Sequence, residues 1–161
     1  MIKLATELVN ILKEKGLTLS CAESCTGGLV SKAITDVSGA SSVFYGGVVS
    51  YDNSVKMNIL GVKSATLDVY GAVSNQVAEQ MAVGVREACK TDVGISTTGI
   101  AGPSGGSAEK PVGTVFIGIS FNDIIFSENL RINPSYSRDE IRCETVKQLL
   151  SVLIDKIREN Y

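Results

Sequence analysis

A strand-to-helix corner near the N-terminus carries the residues best suited to chemistry. The segment Ala22–Gly28 (AESCTGG) lies between an apolar run at residues 17–21 and a helical pattern that starts at Leu29. Such a corner places the Ser24 hydroxyl at a helix N-terminus, where free N–H groups and the helix dipole favour negative charge. It can bind an anion, or hold an oxyanion beside a nucleophilic serine. A plain turn capped by serine or threonine fits the same pattern, so the segment alone leaves these interpretations open.

Two more polar clusters follow predicted strands. Tyr51-Asp52-Asn53, with Lys56 a turn later, follows a strand over 43–50, and Thr98-Gly99 ends a strand over 92–98. Ligands of open α/β sheets bind beyond the carboxyl ends of the strands. The three clusters therefore converge on one crevice if their strands are parallel neighbours.

Given that convergence, Lys56 is the natural base for a Ser24 nucleophile. A lysine has a reference pKa of ~10.4, so it acts as a base only if burial or a positive field lowers that value. Tyr51 could hydrogen-bond Lys56 or relay a proton. A solvated surface lysine and a half-buried tyrosine at a strand end are the plain alternatives.

The absence of histidine removes several mechanisms. No Ser-His-Asp triad, Cys-His pair or histidine-bearing zinc site can be built. Only Cys21 and Cys25 among four cysteines are close in sequence, which disfavours a four-cysteine zinc site. Cys25 is the better intrinsic nucleophile but lacks an activating histidine, so it ranks behind Ser24.

The S-x-x-K pattern of Ser107 and Lys110 lies in a glycine-rich loop without the S-D-N or K-T-G companions that a catalytic dyad of that type requires. A short-chain dehydrogenase is disfavoured because no G-x-x-x-G-x-G follows the first strand.

The elements that must position these residues alternate along the chain. The periodicity predicts helices over 2–15, 27–35, 54–60, 64–70, 75–89 and 138–158, and strands over 17–22, 43–50, 92–98, 113–121 and 124–132. This order predicts a single three-layer α/β/α domain over residues 1–161. The last two strands form a hairpin at Asn122-Asp123, so we expect a mixed, mostly parallel sheet. Gly46-Gly47 indicates a bulge or a close backbone approach within its strand.

Net charge and hydropathy limit the kinds of binding partner that this chain can have. The formal net charge is −2, which gives no basic footprint for nucleic acid, and no apolar run is long enough to span a membrane. The N-terminus does not resemble a signal peptide, so we expect a cytoplasmic protein. The loop over 99–112 is rich in glycine, proline and serine, and loops of that length are usually functional or disordered.

Taken together, these motifs resemble the nicotinamide-nucleotide amidase family, also called the CinA C-terminal domain family. The matching segments are AESCTGG (22–28), ITDVSGAS (34–41), YDNSVK (51–56), GAVS (71–74), TGIAGPSGGSAEKPVGTV (98–115) and RDEIR (138–142). They span most of the chain in family order, and the long glycine-rich segment is specific by itself.

The resemblance implies hydrolysis of the carboxamide of nicotinamide mononucleotide to nicotinic acid mononucleotide and ammonia, in pyridine nucleotide recycling. It implies a Ser24 nucleophile, a Lys56 base and supporting roles for Tyr51 and Thr98, with no metal or cofactor. We expect substrate contacts from the residues of the three clusters and the glycine-rich loop: Thr26, Gly27, Gly28, Asn53, Gly99, Gly102, Gly105, Gly106 and Lys110. The N–H groups of residues 26–28 would stabilise the oxyanion, and the loop from Gly102 to Lys110 would receive the phosphate. The chain looks like the stand-alone form, and we expect a homo-oligomer such as a dimer, with no nucleic acid or membrane partner.

One departure from the family pattern precedes the last helix. The family usually shows Gly-Asp-Arg where this chain has Tyr136-Ser137-Arg138. Ser137 can replace aspartate as the N-cap, and Glu140 completes a capping box, so we expect the helix to form. The different-class alternative is a non-catalytic nucleotide-binding module that retains the pocket.

Overall fold

The computed structural model describes residues 1–161 and contains six α-helices, five β-strands and one short 3₁₀ helix at Ala40–Ser42. The helices are Ile2–Lys15 (α1), Leu29–Thr35 (α2), Asn53–Leu60 (α3), Ser64–Tyr70 (α4), Asn75–Cys89 (α5) and Arg138–Asn160 (α6). The strands are Leu19–Glu23 (β1), Phe44–Val49 (β2), Val93–Gly99 (β3), Val115–Phe121 (β4) and Ile124–Asn129 (β5). Every predicted element is present, with its ends shifted by a few residues at most.

The five strands form one mixed sheet in the order β2-β1-β3-β4-β5. β2, β1 and β3 are parallel neighbours, whereas β4 and β5 are antiparallel additions joined by the predicted hairpin. The carboxyl ends of the three parallel strands therefore meet at one edge. This arrangement confirms the mixed, mostly parallel sheet and satisfies the condition for the three polar clusters to converge.

Helices cover both faces of the sheet, which confirms the three-layer architecture. α1, α2 and α6 pack on one face over the larger apolar core, and α3, α4 and α5 lie on the other face. Side chains central to the larger core include Leu8, Leu12, Ile34, Ile95, Ile119 and Leu149. Among the six helices, none is both long and apolar enough to cross a membrane.

Glycines in the strands allow the helices to approach the sheet closely. A Cβ atom at Gly118 would lie 2.3 Å from the carbonyl oxygen of Ala78 in α5. A Cβ atom at Gly47 would lie 2.7 Å from the Ser31 hydroxyl in α2. The close backbone approach expected at Gly46-Gly47 thus belongs to Gly47. The β1–β2 register shifts at Tyr45, between Phe44 and Gly46.

The last helix begins with the predicted capping box. The Ser137 hydroxyl accepts a hydrogen bond from the Glu140 N–H at 3.3 Å, and the Glu140 carboxylate accepts one from the Ser137 N–H at 2.8 Å. The replacement of the family's aspartate by Ser137 therefore leaves the helix start intact. The cap fixes the first turn of α6, which carries Arg138 to the edge of the sheet where the polar clusters meet. Arg142 follows one turn later and donates to the Thr26 carbonyl oxygen.

Candidate active site

Ser24 and Lys56 are in direct contact at the carboxyl edge of the sheet. The turn after β1 carries Ser24, and the first turns of α3 carry Lys56, whose Nζ lies 3.1 Å from Ser24 Oγ. The same Nζ donates to the carbonyl oxygens of Ser50 at 2.7 Å and Tyr51 at 3.3 Å. Lys56 is 1% exposed and no carboxylate pairs with it. A buried lysine without an acid partner is unusual for a purely structural residue.

Burial lowers the pKa of Lys56 below its ordinary value, because the charged ammonium loses its hydration. The negative charges of Asp52 and Cys25, where present, oppose this shift and raise the pKa. Asp52 is the N-cap of α3 and accepts a hydrogen bond from the Ser54 N–H at 2.8 Å. The net effect favours a neutral amine at a lower pH than for a solvated lysine.

The contacts of Nζ determine where its lone pair points. Ser50 and Tyr51 present carbonyl oxygens, which only accept hydrogen bonds. A neutral amine therefore directs its two N–H groups to these carbonyls and its lone pair to Ser24. The hydroxyl of Ser24 can then donate its proton to Lys56, which is the arrangement that a serine nucleophile and its general base require.

Glu23 holds the corner that carries Ser24. Its buried carboxylate accepts from the N–H groups of Gly28, Val30 and Ser31 at 2.8–3.0 Å. The hydroxyls of Thr26 and Ser31 donate to it as well, each at 2.7 Å. The carboxylate therefore occupies the N-terminus of α2, where the helix dipole favours negative charge. The N–H groups of Gly28, Val30 and Ser31 at the N-terminus of α2 are therefore not available to bind an external anion.

Two N–H groups of the corner take no part in main-chain hydrogen bonding. Those of Cys25 and Thr26 donate to no main-chain carbonyl oxygen, whereas the N–H of Gly27 donates to the Ser24 carbonyl oxygen. Cys25 borders the same pocket as Ser24, and its N–H follows the hydroxyl in sequence, as an oxyanion donor does at a serine corner. Burial raises the pKa of the Cys25 thiol to about 12, so this thiol is not an activated nucleophile.

A pocket of about 230 Å³ opens over Ser24. Its lining residues are Ser24, Cys25, Tyr51, Asn53, Lys56, Ala72, Val73, Thr98, Gly99, Ala101 and Arg138. The Thr98 hydroxyl donates to the carbonyl oxygen of Ala72 at 2.7 Å, which fixes the wall between β3 and the segment before α5. The structure thus brings the predicted Ser24, Tyr51, Lys56, Thr98, Asn53 and Gly99 to one pocket.

Arg138 also borders this pocket, although it was not among the predicted site residues. Its guanidinium donates to the Gly102 carbonyl oxygen and to the Tyr51 hydroxyl, each at 2.8 Å. The Tyr51 hydroxyl therefore meets Arg138, and Tyr51 reaches Lys56 through its main-chain carbonyl. The RDEIR segment and the arginine of the family triplet were the sequence signals at this position, but neither assigns it a role.

Several other predicted contacts lie outside the pocket lining. Thr26, Gly27, Gly28, Gly102, Gly105, Gly106 and Lys110 do not border it. The Thr26 hydroxyl is buried against Glu23 and Thr97. The Lys110 ammonium donates to the carbonyl oxygens of Tyr70 and Val73, both at 2.8 Å, and so ties the glycine-rich loop to the segment between α4 and α5.

Comparison with known proteins identifies the family. The CinA C-terminal domain family matches residues 1–157, almost the whole chain. The chain belongs to the CinA C-terminal domain family. Its fold agrees with solved members: the competence/damage inducible protein CihA from Agrobacterium tumefaciens is 41% identical, with a TM-score of 0.92 over 96% of this chain and 93% of that one. The competence damage-inducible protein A (ComA) from Klebsiella pneumoniae subsp. pneumoniae is 28% identical, with a TM-score of 0.95 over 99% and 98%.

Relatives of this CinA-type domain differ in length and in name. The nicotinamide-nucleotide amidohydrolase PncC of Enterobacter agglomerans is 54% identical over 121 residues, which are 75% of this chain and 74% of that protein. A CinA-like protein of Leptospira borgpetersenii is 58% identical over 113 residues, 70% of this chain but 27% of that protein. The chain spans about a third of the length of the longer curated relatives, such as that of Thermoanaerobacter pseudethanolicus, where it covers 35% at 50% identity.

Proposed function

We propose that this chain hydrolyses the carboxamide of nicotinamide mononucleotide, giving nicotinic acid mononucleotide and ammonia. The contact between Ser24 Oγ and the buried Lys56 Nζ is the observation that carries the proposal. The 54% identity to a nicotinamide-nucleotide amidohydrolase supports the substrate class. With no histidine in the chain, Lys56 is the base best placed to act on Ser24.

The proposed reaction starts from the neutral form of Lys56. Its Nζ takes the Ser24 proton while Oγ forms a bond to the carboxamide carbon. The carbonyl oxygen becomes an oxyanion, and the N–H group of Cys25, which borders the pocket, donates to it in our proposal. Removal of one such donor costs other enzymes about 3 kcal/mol of transition-state stabilisation.

Collapse of the tetrahedral intermediate breaks the carbon–nitrogen bond. The Lys56 ammonium gives its proton to the leaving amide nitrogen, so ammonia departs and Lys56 is neutral again. Water then attacks the Ser24 acyl ester while Lys56 accepts a proton from it. That proton returns to Ser24 Oγ as the ester bond breaks, which releases the carboxylic acid and restores the starting state.

Thr98 and Tyr51 have supporting roles in this proposal. Thr98 braces the pocket wall through Ala72, and the Tyr51 carbonyl oxygen helps to orient the Lys56 amine. We therefore expect Tyr51→Phe to retain most of the activity, because this change keeps the main-chain contact with Lys56.

Ammonia release from nicotinamide mononucleotide by purified protein tests the proposal. Ser24→Ala should lose activity by about 10⁴-fold or more while the thermal midpoint stays near that of wild type, because the nucleophile is removed and little volume changes. Cys25→Ala is the matched neighbour and should remain active. An active Ser24→Ala enzyme together with a dead Cys25→Ala enzyme would reverse the nucleophile assignment. Binding of the nucleotide without ammonia release by wild type would favour a non-catalytic binding module.

A further inference from the structure

Glu23 directly precedes the proposed nucleophile and is buried without a cationic partner. It is 1% exposed, and none of the four ion pairs in the structure involves it. A carboxylate in such a place loses its hydration, which is costly unless hydrogen bonds replace the lost water. A neutral serine or asparagine caps a helix without burying a charge. Capping of α2 alone therefore does not explain this residue.

Five N–H and O–H groups donate to the two oxygens of this carboxylate. Oε2 accepts from the N–H groups of Gly28 and Val30 and from the Thr26 hydroxyl, at 2.7–3.0 Å. Oε1 accepts from the N–H and the hydroxyl of Ser31, at 2.8 and 2.7 Å. An ionised carboxylate only accepts hydrogen bonds, so it satisfies all five donors. A glutamine in its place would set an amide NH₂ group against N–H donors.

The Thr26 hydroxyl extends this network to the turn that contains Ser24. Its single proton goes to Glu23, so it accepts from the Thr97 hydroxyl, which lies 2.7 Å away on β3. The Ser24 N–H in turn donates to the Thr97 carbonyl oxygen at 2.9 Å. Glu23 and Thr97 therefore hold the turn at residues 24 and 26, on both sides of the Cys25 N–H.

We propose that Glu23 is a positioning residue for the nucleophile. Its carboxylate holds, through Thr26, the turn in which the Ser24 hydroxyl and the Cys25 N–H face the same carbonyl group of the substrate. This inference rests on the proposed function, because it presumes attack by Ser24. A displacement of about 1 Å can cost about 10²-fold in rate. Glu23 does not border the pocket, so its loss should lower kcat and leave KM nearly unchanged.

Glu23→Gln tests this role with little change in side-chain volume. For ammonia release from nicotinamide mononucleotide, kcat should fall about 10²-fold, while KM stays within about threefold, at a temperature where circular dichroism shows a folded variant. Asp92→Asn is the matched control. It removes a carboxylate that accepts from Thr18 at the amino ends of β1 and β3, away from the pocket, so it should keep the wild-type kcat.

A pair of milder variants keeps the test decisive if Glu23→Gln does not fold. Thr26→Val and Ser31→Ala each remove one hydroxyl that donates to Glu23 at 2.7 Å. Only Thr26 lies in the turn with Ser24, so Thr26→Val should lower kcat about tenfold and Ser31→Ala should stay within about threefold of wild type. Equal kcat values for these two variants, or a wild-type kcat in Glu23→Gln, would overturn the inference.

A fluorophosphonate probe separates this inference from the choice of substrate. The rate of Ser24 labelling, followed by mass spectrometry, depends on the positioned hydroxyl and needs no nicotinamide compound. Labelling should be fastest in wild type and Ser31→Ala, slower in Thr26→Val and slowest in Glu23→Gln, whereas equal rates would contradict the role of Glu23. If wild type is labelled at Ser24 but releases no ammonia, the proposed substrate is wrong and the order of labelling rates still tests Glu23.

Discussion

Lys56 is held between influences that act on its pKa in opposite directions. Burial lowers the pKa, and the exposed carboxylate of Asp52 raises it. Neither Ser50 nor Tyr51 adds charge, because both contact Nζ through carbonyl oxygens. The pKa of the proposed base is thus lowered by burial and raised chiefly by one surface charge, that of Asp52.

The first prediction concerns the pH dependence of catalysis. If neutral Lys56 is the base, kcat/KM should rise with pH along a limb that lies below the range of a solvated lysine, because burial lowers its pKa. Lys56→Arg should be nearly inactive at every accessible pH, since arginine does not deprotonate there. Initial rates of ammonia release from pH 6 to 10 measure both. A Lys56→Arg enzyme of near wild-type rate would show that Lys56 is not the base.

The second prediction separates the surface charge from the burial. Asp52→Asn should shift the ascending limb to lower pH, because it removes the carboxylate that raises the pKa of Lys56. Asparagine can still cap α3 through its side-chain oxygen, so stability should change little. Added salt should reduce the difference between wild type and variant, because exposed charges are screened. A limb that does not move would show that Asp52 has no influence on the base.

The sequence predicts the site residues whose side-chain chemistry and position after a strand indicate their role. It does not predict the residues whose role depends on contacts with distant parts of the chain. Ser24 and Lys56 follow strands that proved to be parallel neighbours, so their contact could be anticipated. The contact between Arg138 and Tyr51 joins residues far apart in the chain and depends on the direction of α6. The use of Lys110 on carbonyl oxygens depends on the path of the glycine-rich loop, which composition does not specify.

At the scale of elements, α5 lies directly against the backbone of the sheet. Gly94 and Gly118 face the carbonyl oxygens of Ala82 and Ala78 with no room for a side chain. α5 in turn packs on α3, which carries Lys56. The distance between α5 and the sheet therefore affects the position of α3, and with it the position of Lys56.

The third prediction tests this close packing. Gly118→Ala should destabilise the protein by about 1–3 kcal/mol, because its Cβ would lie 2.3 Å from backbone atoms that cannot move aside cheaply. Gly46→Ala is the matched control in a strand, since its nearest neighbour is the Cys89 sulfur at 3.9 Å. Urea unfolding at equal protein concentration compares the two. Equal midpoints would contradict the packing argument.

The elements themselves were predictable because their signals are local. Helical periodicity, capping residues and terminal glycines predicted all six helices, and the turn at Asn122-Asp123 predicted the hairpin. The order of strands in the sheet was not predictable from these signals, since β1 pairs with β3 across a long stretch of chain. Convergence of the polar clusters depends on this strand order, so the sequence predicts it only on the condition that the three strands are parallel neighbours.

At the scale of the whole molecule, ion pairs contribute little to stability. The four ion pairs all lie at the surface, where such pairs are worth about 0–1 kcal/mol each. A tighter polar link joins the loops at the amino ends of β1 and β3. Asp92 accepts from the Thr18 hydroxyl at 2.6 Å and the Thr18 N–H at 2.8 Å, and these contacts hold the pKa of Asp92 below its usual value.

The fourth prediction follows from that link. A carboxyl whose pKa is lower in the folded state stabilises the fold above its unfolded pKa, and this contribution disappears as pH falls through the folded pKa. Asp92→Asn should therefore be less stable than wild type at pH 7, by about 1 kcal/mol, and the difference should shrink toward pH 3. Urea unfolding at several pH values measures this. Asp36→Asn, which removes only the exposed pair with Lys32, should have little effect, and a pH-independent deficit in Asp92→Asn would contradict the argument.

The position of β2 at the edge of the sheet has a consequence for heat inactivation. β2 pairs only with β1, and it leads directly into the carbonyl oxygens that hold Lys56. Edge elements open locally at a lower free-energy cost than central ones. Detachment of β2 would separate Lys56 from Ser24 while β1, β3 and β4 stay paired. A sample warmed toward its melting range should therefore lose turnover before it loses its far-ultraviolet circular dichroism, and it should regain that turnover on prompt cooling.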